Sequence, residues 1–132
     1  MIAMAFWESS VEGRNAWDKK KLGWKLKIGK YVITSRYHFW VWAMFAFLLA
    51  LPLIVSGWNL QLFGILISAV ASGAALEDFM WYVVNPAVKF KEWYSHFSDY
   101  YPWIRIGKIK IIPLGYAKGI LIALLSWYFI WR

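Results

Sequence analysis

The chain has 132 residues, of which 61% are hydrophobic and 17% are charged, and its formal net charge is +8. A soluble domain of this length has too little interior to bury so much apolar surface, so the composition indicates a single membrane domain. The sequence contains no cysteine, which excludes disulfides, thiolate metal sites and cysteine nucleophiles.

Residues 1–36 form a basic segment. We expect it on the cytoplasmic side, because the cytoplasmic loops of membrane proteins are rich in Lys and Arg. Residues 1–7 are too short to be the apolar region of a cleavable signal peptide. Residues 24–35 alternate in polarity around Gly29-Lys30, which predicts a β-hairpin with a two-residue turn. The register that closes this turn places five apolar side chains on one face: Trp24, Leu26, Ile28, Tyr31 and Ile33.

Three apolar segments predict transmembrane helices at residues 38–57, 62–84 and 113–131, since a bilayer core requires about 20 apolar residues. Only four residues connect the first two segments, so these helices are expected to be antiparallel neighbours. Trp and Tyr cluster at the ends of the segments, as in the aromatic belts of membrane proteins. With the N-terminus in the cytoplasm, three spans place the C-terminus outside.

The loop between the second and third spans contains two predicted elements, and the second of them is another hairpin. Aromatic residues recur at spacings of three and four over residues 87–101, which predicts an amphipathic helix lying in the membrane interface. Residues 103–112 alternate around Gly107-Lys108 and predict a second hairpin. The expected fold is an all-α membrane protein with three transmembrane helices, an interfacial amphipathic helix and two short cytoplasmic β-hairpins.

Most of the basic residues flank the apolar spans: eight of the 15 Lys and Arg precede Tyr37, and five lie between Lys89 and Lys110. This distribution favours anionic lipid headgroups over nucleic acid as the partner. The candidate headgroup contacts are Lys25, Lys27, Lys30, Lys108 and Lys110.

Glu77 and Asp78 lie inside the second predicted span, where a charge costs about 2.5–3.5 kcal/mol and usually faces protein or water. Lys118 lies at a similar depth in the third span, so we predict an ion pair between Asp78 and Lys118. Small residues on both helices predict close packing around it: Ala71, Ala74, Gly115, Gly119 and Ala123. A structural ion pair is the favoured interpretation. The alternative is a proton-handling or substrate-binding site, in which Glu77, Asp78 and Lys118 are the catalytic candidates.

His38 and His96 are the two histidines, and neither lies in a recognised metal-ligand spacing. No metal or other cofactor is therefore expected. A metal site formed by His38, His96 and the carboxylates of the second span is the weaker alternative.

Residues 76–82, with the sequence Leu-Glu-Asp-Phe-Met-Trp-Tyr, resemble the acidic-then-aromatic signature of the small three-helix lycopene cyclase subunits. Ala75 stands where that signature has a proline. In that family, carboxylates act on an isoprenoid. The resemblance implies that Glu77 or Asp78 protonates a polyene within the bilayer.

The leading functional hypothesis is a non-catalytic accessory or structural subunit of a larger membrane complex, associated with other subunits or with copies of itself. The abundant aromatic residues favour it, because they are enriched in the cores of interfaces. The alternative is a membrane-embedded enzyme or lipid-binding protein that acts on a hydrophobic lipid or isoprenoid through Glu77 and Asp78. A transporter or channel is a poorer fit, since one carboxylate pair makes no continuous pathway.

Overall fold

The computed structural model describes residues 1–14, 23–29 and 31–132. Helices and β-hairpins follow one another in the order helix, hairpin, helix, helix, hairpin, helix. The bounds of these elements are α1 Ile2–Glu12, β1 Lys25–Ile28, β2 Tyr31–Ser35, α2 Arg36–Ser56, α3 Leu60–Val84, β3 Trp103–Ile106, β4 Ile109–Pro113 and α4 Leu114–Ser126. A π-helical turn, Trp127–Trp131, continues α4.

Within the described residues, three helices are long and apolar enough to cross a membrane: Arg36–Ser56, Leu60–Val84 and Leu114–Trp131. The three predicted apolar helices are thereby confirmed, and each lies within two residues of its expected bounds. Side-chain caps explain where two of them start. The side-chain oxygen of Ser35 accepts a hydrogen bond from the His38 N–H, and that of Asn59 accepts one from the Leu62 N–H.

Both predicted hairpins are confirmed as antiparallel pairs, β1 with β2 and β3 with β4. The residues that flank each turn pair directly, Ile28 with Tyr31 and Ile106 with Ile109. The first residue of each turn is a glycine with φ of +58°, a conformation that glycine adopts without steric cost.

The strand register expected from strict alternation is correct only for the two residue pairs nearest each turn. A β-bulge shifts the register after two pairs in each hairpin, so that Leu26 pairs with Thr34 and Ile104 with Ile112. The uniform apolar face expected from strict alternation is therefore wrong beyond that point, because a bulge adds one residue to one strand. The described strands form two separate sheets, so no described strand of one hairpin pairs with the other hairpin.

Each hairpin leads directly into a helix at one common end of the bundle, which we call the hairpin end. The Arg36 N–H donates to the carbonyl of Trp24, and the Leu114 N–H donates to that of Pro102, which closes the base of each hairpin. α1 ends here too, since the Asn85 side chain beyond α3 donates to the Gly13 carbonyl.

The predicted amphipathic helix over residues 87–101 is wrong. Two short 3-10 turns, Phe90–Tyr94 and His96–Ser98, occupy this region. Ser95 between them is extended, and its hydroxyl bonds the Glu92 carbonyl and the Phe97 N–H. Side-chain bonds of this kind compete with the helical backbone ladder and explain the break. Trp93 is buried and Phe97 and Tyr101 pack against the core, whereas Phe90 and Tyr94 are exposed.

The helices differ in how closely they pack against one another. α3 and α4 lie against each other and are joined by hydrogen bonds from the hydroxyls of Ser68 and Ser126 to carbonyls of the opposite helix. α1, which was not predicted, runs parallel to the half of α3 nearest the hairpin end, with Met1 beside Gly73. α2 buries only Val41 among its described side chains. The buried core lies at the hairpin end: Ala5, Trp81, Tyr82, Val88, Trp93 and Tyr116.

Candidate functional site

Three glutamates from two helices meet between α1 and α3. Glu8 and Glu12 are four residues apart on α1 and therefore project from the same face. Their exposed fractions are 5% and 6%, and that of Glu77 on α3 is 3%. Because α1 runs alongside the hairpin-end half of α3, carboxyl groups that are far apart in sequence converge in one buried place.

The carboxyl groups of Glu8 and Glu77 lie close together, within hydrogen-bonding reach of each other. Two carboxylates so close in a buried place repel each other, and a shared proton or a bound cation would relieve that repulsion. The Oε1 atom of Glu77 is buried and has no hydrogen-bond partner among the described residues. Such an atom is expensive to bury and points to a ligand in the cluster.

His38 completes the cluster from the first turn of α2. Its Nε2 lies 3.5 Å from Oε1 of Glu12, and its Nδ1 lies 2.8 Å from the Ser35 hydroxyl. Ser35 thus caps α2 and orients the imidazole as well. One ligand atom from each of Glu8, Glu12 and His38 lies within 4.8 Å of the other two. We call Glu8, Glu12, His38 and Glu77 the acidic cluster.

Asp78 lies beside the acidic cluster, about 100° around α3 from Glu77. Its half-buried carboxyl is near Glu8 and lies within hydrogen-bonding reach of the Tyr101 hydroxyl. Burial raises the pKa of Tyr101 well above its ordinary value of 10.0, so this phenol stays protonated and can donate. The hydroxyls of Tyr82 and Tyr100 also bond each other, which makes this side of the site rich in phenols.

An apolar crevice of about 390 Å³ separates α2 from α3 in the half of the bundle away from the hairpin end. Leu49 and Leu53 of α2 line it opposite Leu66 and Val70 of α3. At 100° per residue, Leu66 and Val70 lie on the same face of α3 as Glu77. The crevice therefore follows the face of α3 that leads to the acidic cluster.

The structure does not bring the predicted ion pair together. Lys118 is exposed, and no ion pair joins it to Asp78 in the described part of the chain. The reason is geometric, since Lys118 directly precedes Gly119, which lies over the Ala71 carbonyl at the helix contact. A neighbouring residue on a helix points about 100° away.

The other predicted packing residues differ in their surroundings. The Ala123 carbonyl accepts the hydrogen bond from Ser68 at the contact of α3 with α4. Ala74 is half-buried, whereas a side chain at Gly115 would meet open space.

The lysines predicted to contact headgroups differ in their exposure to solvent. Lys27 and Lys108 are exposed, Lys25 is half-buried, and Lys30 lies outside the described residues. The side chain of Lys110 is only 9% exposed and pairs with Asp99 at 2.8 Å, so it is not available to a headgroup.

Asp99 pairs with basic side chains at the surface, outside the acidic cluster. Besides Lys110, it binds His96 at 2.8 Å and Arg105 at 3.1 Å. Hydrogen bonds from Lys110 and His96 lower the pKa of Asp99 to about 2. His96 is therefore engaged at the surface, and the structure does not bring it together with His38.

Sequence reasoning missed Glu8 and Glu12, because residues 1–36 were interpreted only as a basic segment. Two signals were present. The glutamates have a helical spacing of four, and Gly13 follows the second, as glycine often follows a helix end.

No protein-family model matches this chain, and neither the curated proteins nor the solved structures contain a match to it.

Proposed function

We propose that this chain is an integral membrane enzyme that acts on a hydrophobic substrate, a lipid or an isoprenoid, through the carboxyl groups at the hairpin end. The observation that carries the proposal is the contact of Glu8 with Glu77, buried between helices on the face of α3 that also lines an apolar crevice. A single intramembrane carboxyl is expensive, at about 2.5–3.5 kcal/mol when charged, and is usually functional. Several in one place make a purely structural role a weak explanation.

The chemistry we propose is general acid–base catalysis at an apolar substrate. A carboxyl shielded from water can hold a proton at neutral pH and deliver it to an alkene or an ester oxygen. Asp78 and Glu77 are the candidates, because Glu77 belongs to the acidic cluster and shares a face of α3 with the crevice, and Asp78 lies beside the cluster. The Tyr101 hydroxyl would stabilise the Asp78 carboxylate after it gives up its proton.

We place the hairpin end in the cytoplasm, with the C-terminus outside, since the basic residues concentrate there. A substrate in the bilayer would then enter along the crevice from the middle of the membrane. Lys27 and Lys108, both exposed, are suited to contact anionic headgroups at the cytoplasmic surface.

The test compares lipids extracted from cells of the source organism that carry either the wild-type chain or Glu77→Gln. This substitution keeps the size of the side chain and removes its acid. We expect one hydrophobic compound to accumulate and another to disappear in the variant. Glu92→Gln is the matched control, because it alters a glutamate that pairs with Arg14 outside the cluster. Identical lipid profiles in wild type and Glu77→Gln, with both chains present in the membrane, would contradict the proposal.

The second candidate is an accessory subunit of a membrane complex, alone or as a homo-oligomer. It is favoured by α2, which buries only Val41 of its described side chains and leaves Phe47 76% exposed and Val55 84% exposed. A helix with so few contacts in its own chain is suited to pack against another subunit. Purification in mild detergent tests it. A stoichiometric partner or a defined oligomer that is lost when bulky α2 residues are changed supports this role, and a stable monomer opposes it.

A further inference from the structure

We infer that Glu8, Glu12 and His38, with Glu77 beside them, bind one divalent first-row transition metal cation. This inference goes beyond the proposed function, because a cation would bind here whether or not the chain turns over a substrate. It is carried by the convergence of ligand atoms from α1 and α2, by an oriented imidazole, and by a buried oxygen of Glu77 on α3 that lacks a hydrogen-bond partner among the described residues.

The distances suit a metal ion. Carboxylate oxygens and imidazole nitrogens bind Zn²⁺ and similar ions at about 2.0–2.2 Å, which places neighbouring ligands of a tetrahedral site about 3.4 Å apart. His38 Nε2 and Glu12 Oε1 are 3.5 Å apart. With the Glu8 oxygen, all three atoms lie within 4.8 Å of one another, so small side-chain rotations suffice to close the set around an ion.

The imidazole is held as a metal ligand requires. Metal-bound histidines use one ring nitrogen for the ion and the other for a hydrogen bond that fixes the ring. The Ser35 hydroxyl lies 2.8 Å from Nδ1 of His38, while Nε2 faces the carboxylates. Ser35 is itself fixed as the cap of α2, so the ring orientation is built into the start of the helix.

The independent observation is Glu77. It is 3% exposed, its carboxyl reaches that of Glu8, and its Oε1 has no hydrogen-bond partner in the described part of the chain. A cation between the two carboxyl groups would coordinate this oxygen and remove the repulsion between them.

The ligand set indicates the class of cation. Carboxylates favour hard ions such as Mn²⁺, imidazole favours Fe²⁺ and Zn²⁺, and the absence of thiolates disfavours the softest ions. Two carboxylates and one histidine, with the Glu77 carboxyl beside them, therefore suit Mn²⁺, Fe²⁺ or Zn²⁺. Asp78 is outside the set and stays available for proton transfer.

The test starts with the full chain purified in mild detergent and stripped with a chelator. Titration with Co²⁺, a coloured substitute for these ions, should give a visible absorption band that saturates at one equivalent. We expect His38→Ala and Glu12→Gln to weaken Co²⁺ binding by more than the roughly 10–100-fold that follows from loss of a hydrogen bond to a metal ligand. His96→Ala is the control and should bind like wild type. Lack of a band in wild type, or an unchanged titration of His38→Ala, would overturn the inference.

A second measurement uses wild type alone, in case the variants aggregate. X-ray absorption of the protein loaded with Zn²⁺ should show only light ligands, with the outer-shell scattering of one imidazole. A spectrum without imidazole would refute the site. These measurements need no substrate. A chain that changes the membrane lipids but binds no metal would overturn this inference and leave the proposed function standing.

Discussion

Gly119→Ala is expected to separate α3 from α4, because this glycine lies against the backbone of the opposite helix. A Cβ at position 119 would be 2.6 Å from the Ala71 carbonyl oxygen, whereas ordinary contact begins at 3.4 Å. The helices must therefore move apart by about 0.8 Å. The hydrogen bonds from Ser68 and Ser126 across this contact, both 2.9 Å long, would then exceed 3.5 Å.

The expected loss is about 2 kcal/mol, within the 1–3 kcal/mol typical of overpacking. The two broken hydrogen bonds account for roughly half of it, at about 0.6 kcal/mol each between membrane helices. Gly115→Ala is the matched control on the same helix. A side chain there meets open space, so this variant gains the same helix propensity without the clash. At about 4 °C per kcal/mol, Gly119→Ala should unfold roughly 8 °C below Gly115→Ala.

The assay is thermal unfolding in detergent, followed by the fluorescence of the 11 tryptophans. The measured quantity is the difference between the two apparent Tm values, since both variants are measured in the same detergent and carry the substitution in the same helix. A Gly119→Ala chain as stable as Gly115→Ala would refute the close contact of α3 with α4.

Two further predictions concern the hairpin end. Asp99 has its pKa lowered from 3.8 to about 2 by Lys110 and His96, so its stabilising contribution is present above pH 3.8 and is lost as the pH falls towards 2. The difference in apparent Tm between wild type and Asp99→Asn should therefore be largest near pH 6 and shrink below pH 4, and a difference independent of pH would contradict the pairing. Ser35→Ala and Asn59→Ala should each lower stability by about 1 kcal/mol through loss of a helix cap. Only Ser35→Ala should also weaken Co²⁺ binding, by about 10–100-fold, and equal titrations of the two variants would count against Ser35 as the residue that orients His38.

Hydropathy and turn chemistry were enough to predict the three apolar helices and both hairpins. These features depend on local pattern: runs of apolar residues, a serine or asparagine cap, and glycine at the first position of a tight turn. The bulges were not predictable in the same way, because alternation in the sequence continues through Ile33 and Ile111. Nothing local marks the residue at which a strand adds one position.

Only some residues of the candidate site could be predicted from the sequence. Glu77 and Asp78 stood out because they interrupt an apolar helix, and His38 because it opens one. Their partners did not, since Glu8 and Glu12 lie in a short helix that is packed by tertiary contacts rather than marked by a long apolar run. The choice of Lys118 as a partner came from depth alone. Depth does not determine which way a side chain points around a helix.

The central claim is that Glu8 and Glu77 meet in an apolar, buried place, and labelling with dicyclohexylcarbodiimide tests it most directly. This apolar reagent modifies protonated carboxyl groups within the membrane, and two carboxyl groups in contact must hold a proton once any metal has been removed. In membranes stripped with a chelator, mass spectrometry should find the label on Glu77 or Glu8, and added Zn²⁺ should suppress it. Label on the surface carboxyls Glu92 and Asp99, with none on Glu8 or Glu77, would contradict the account.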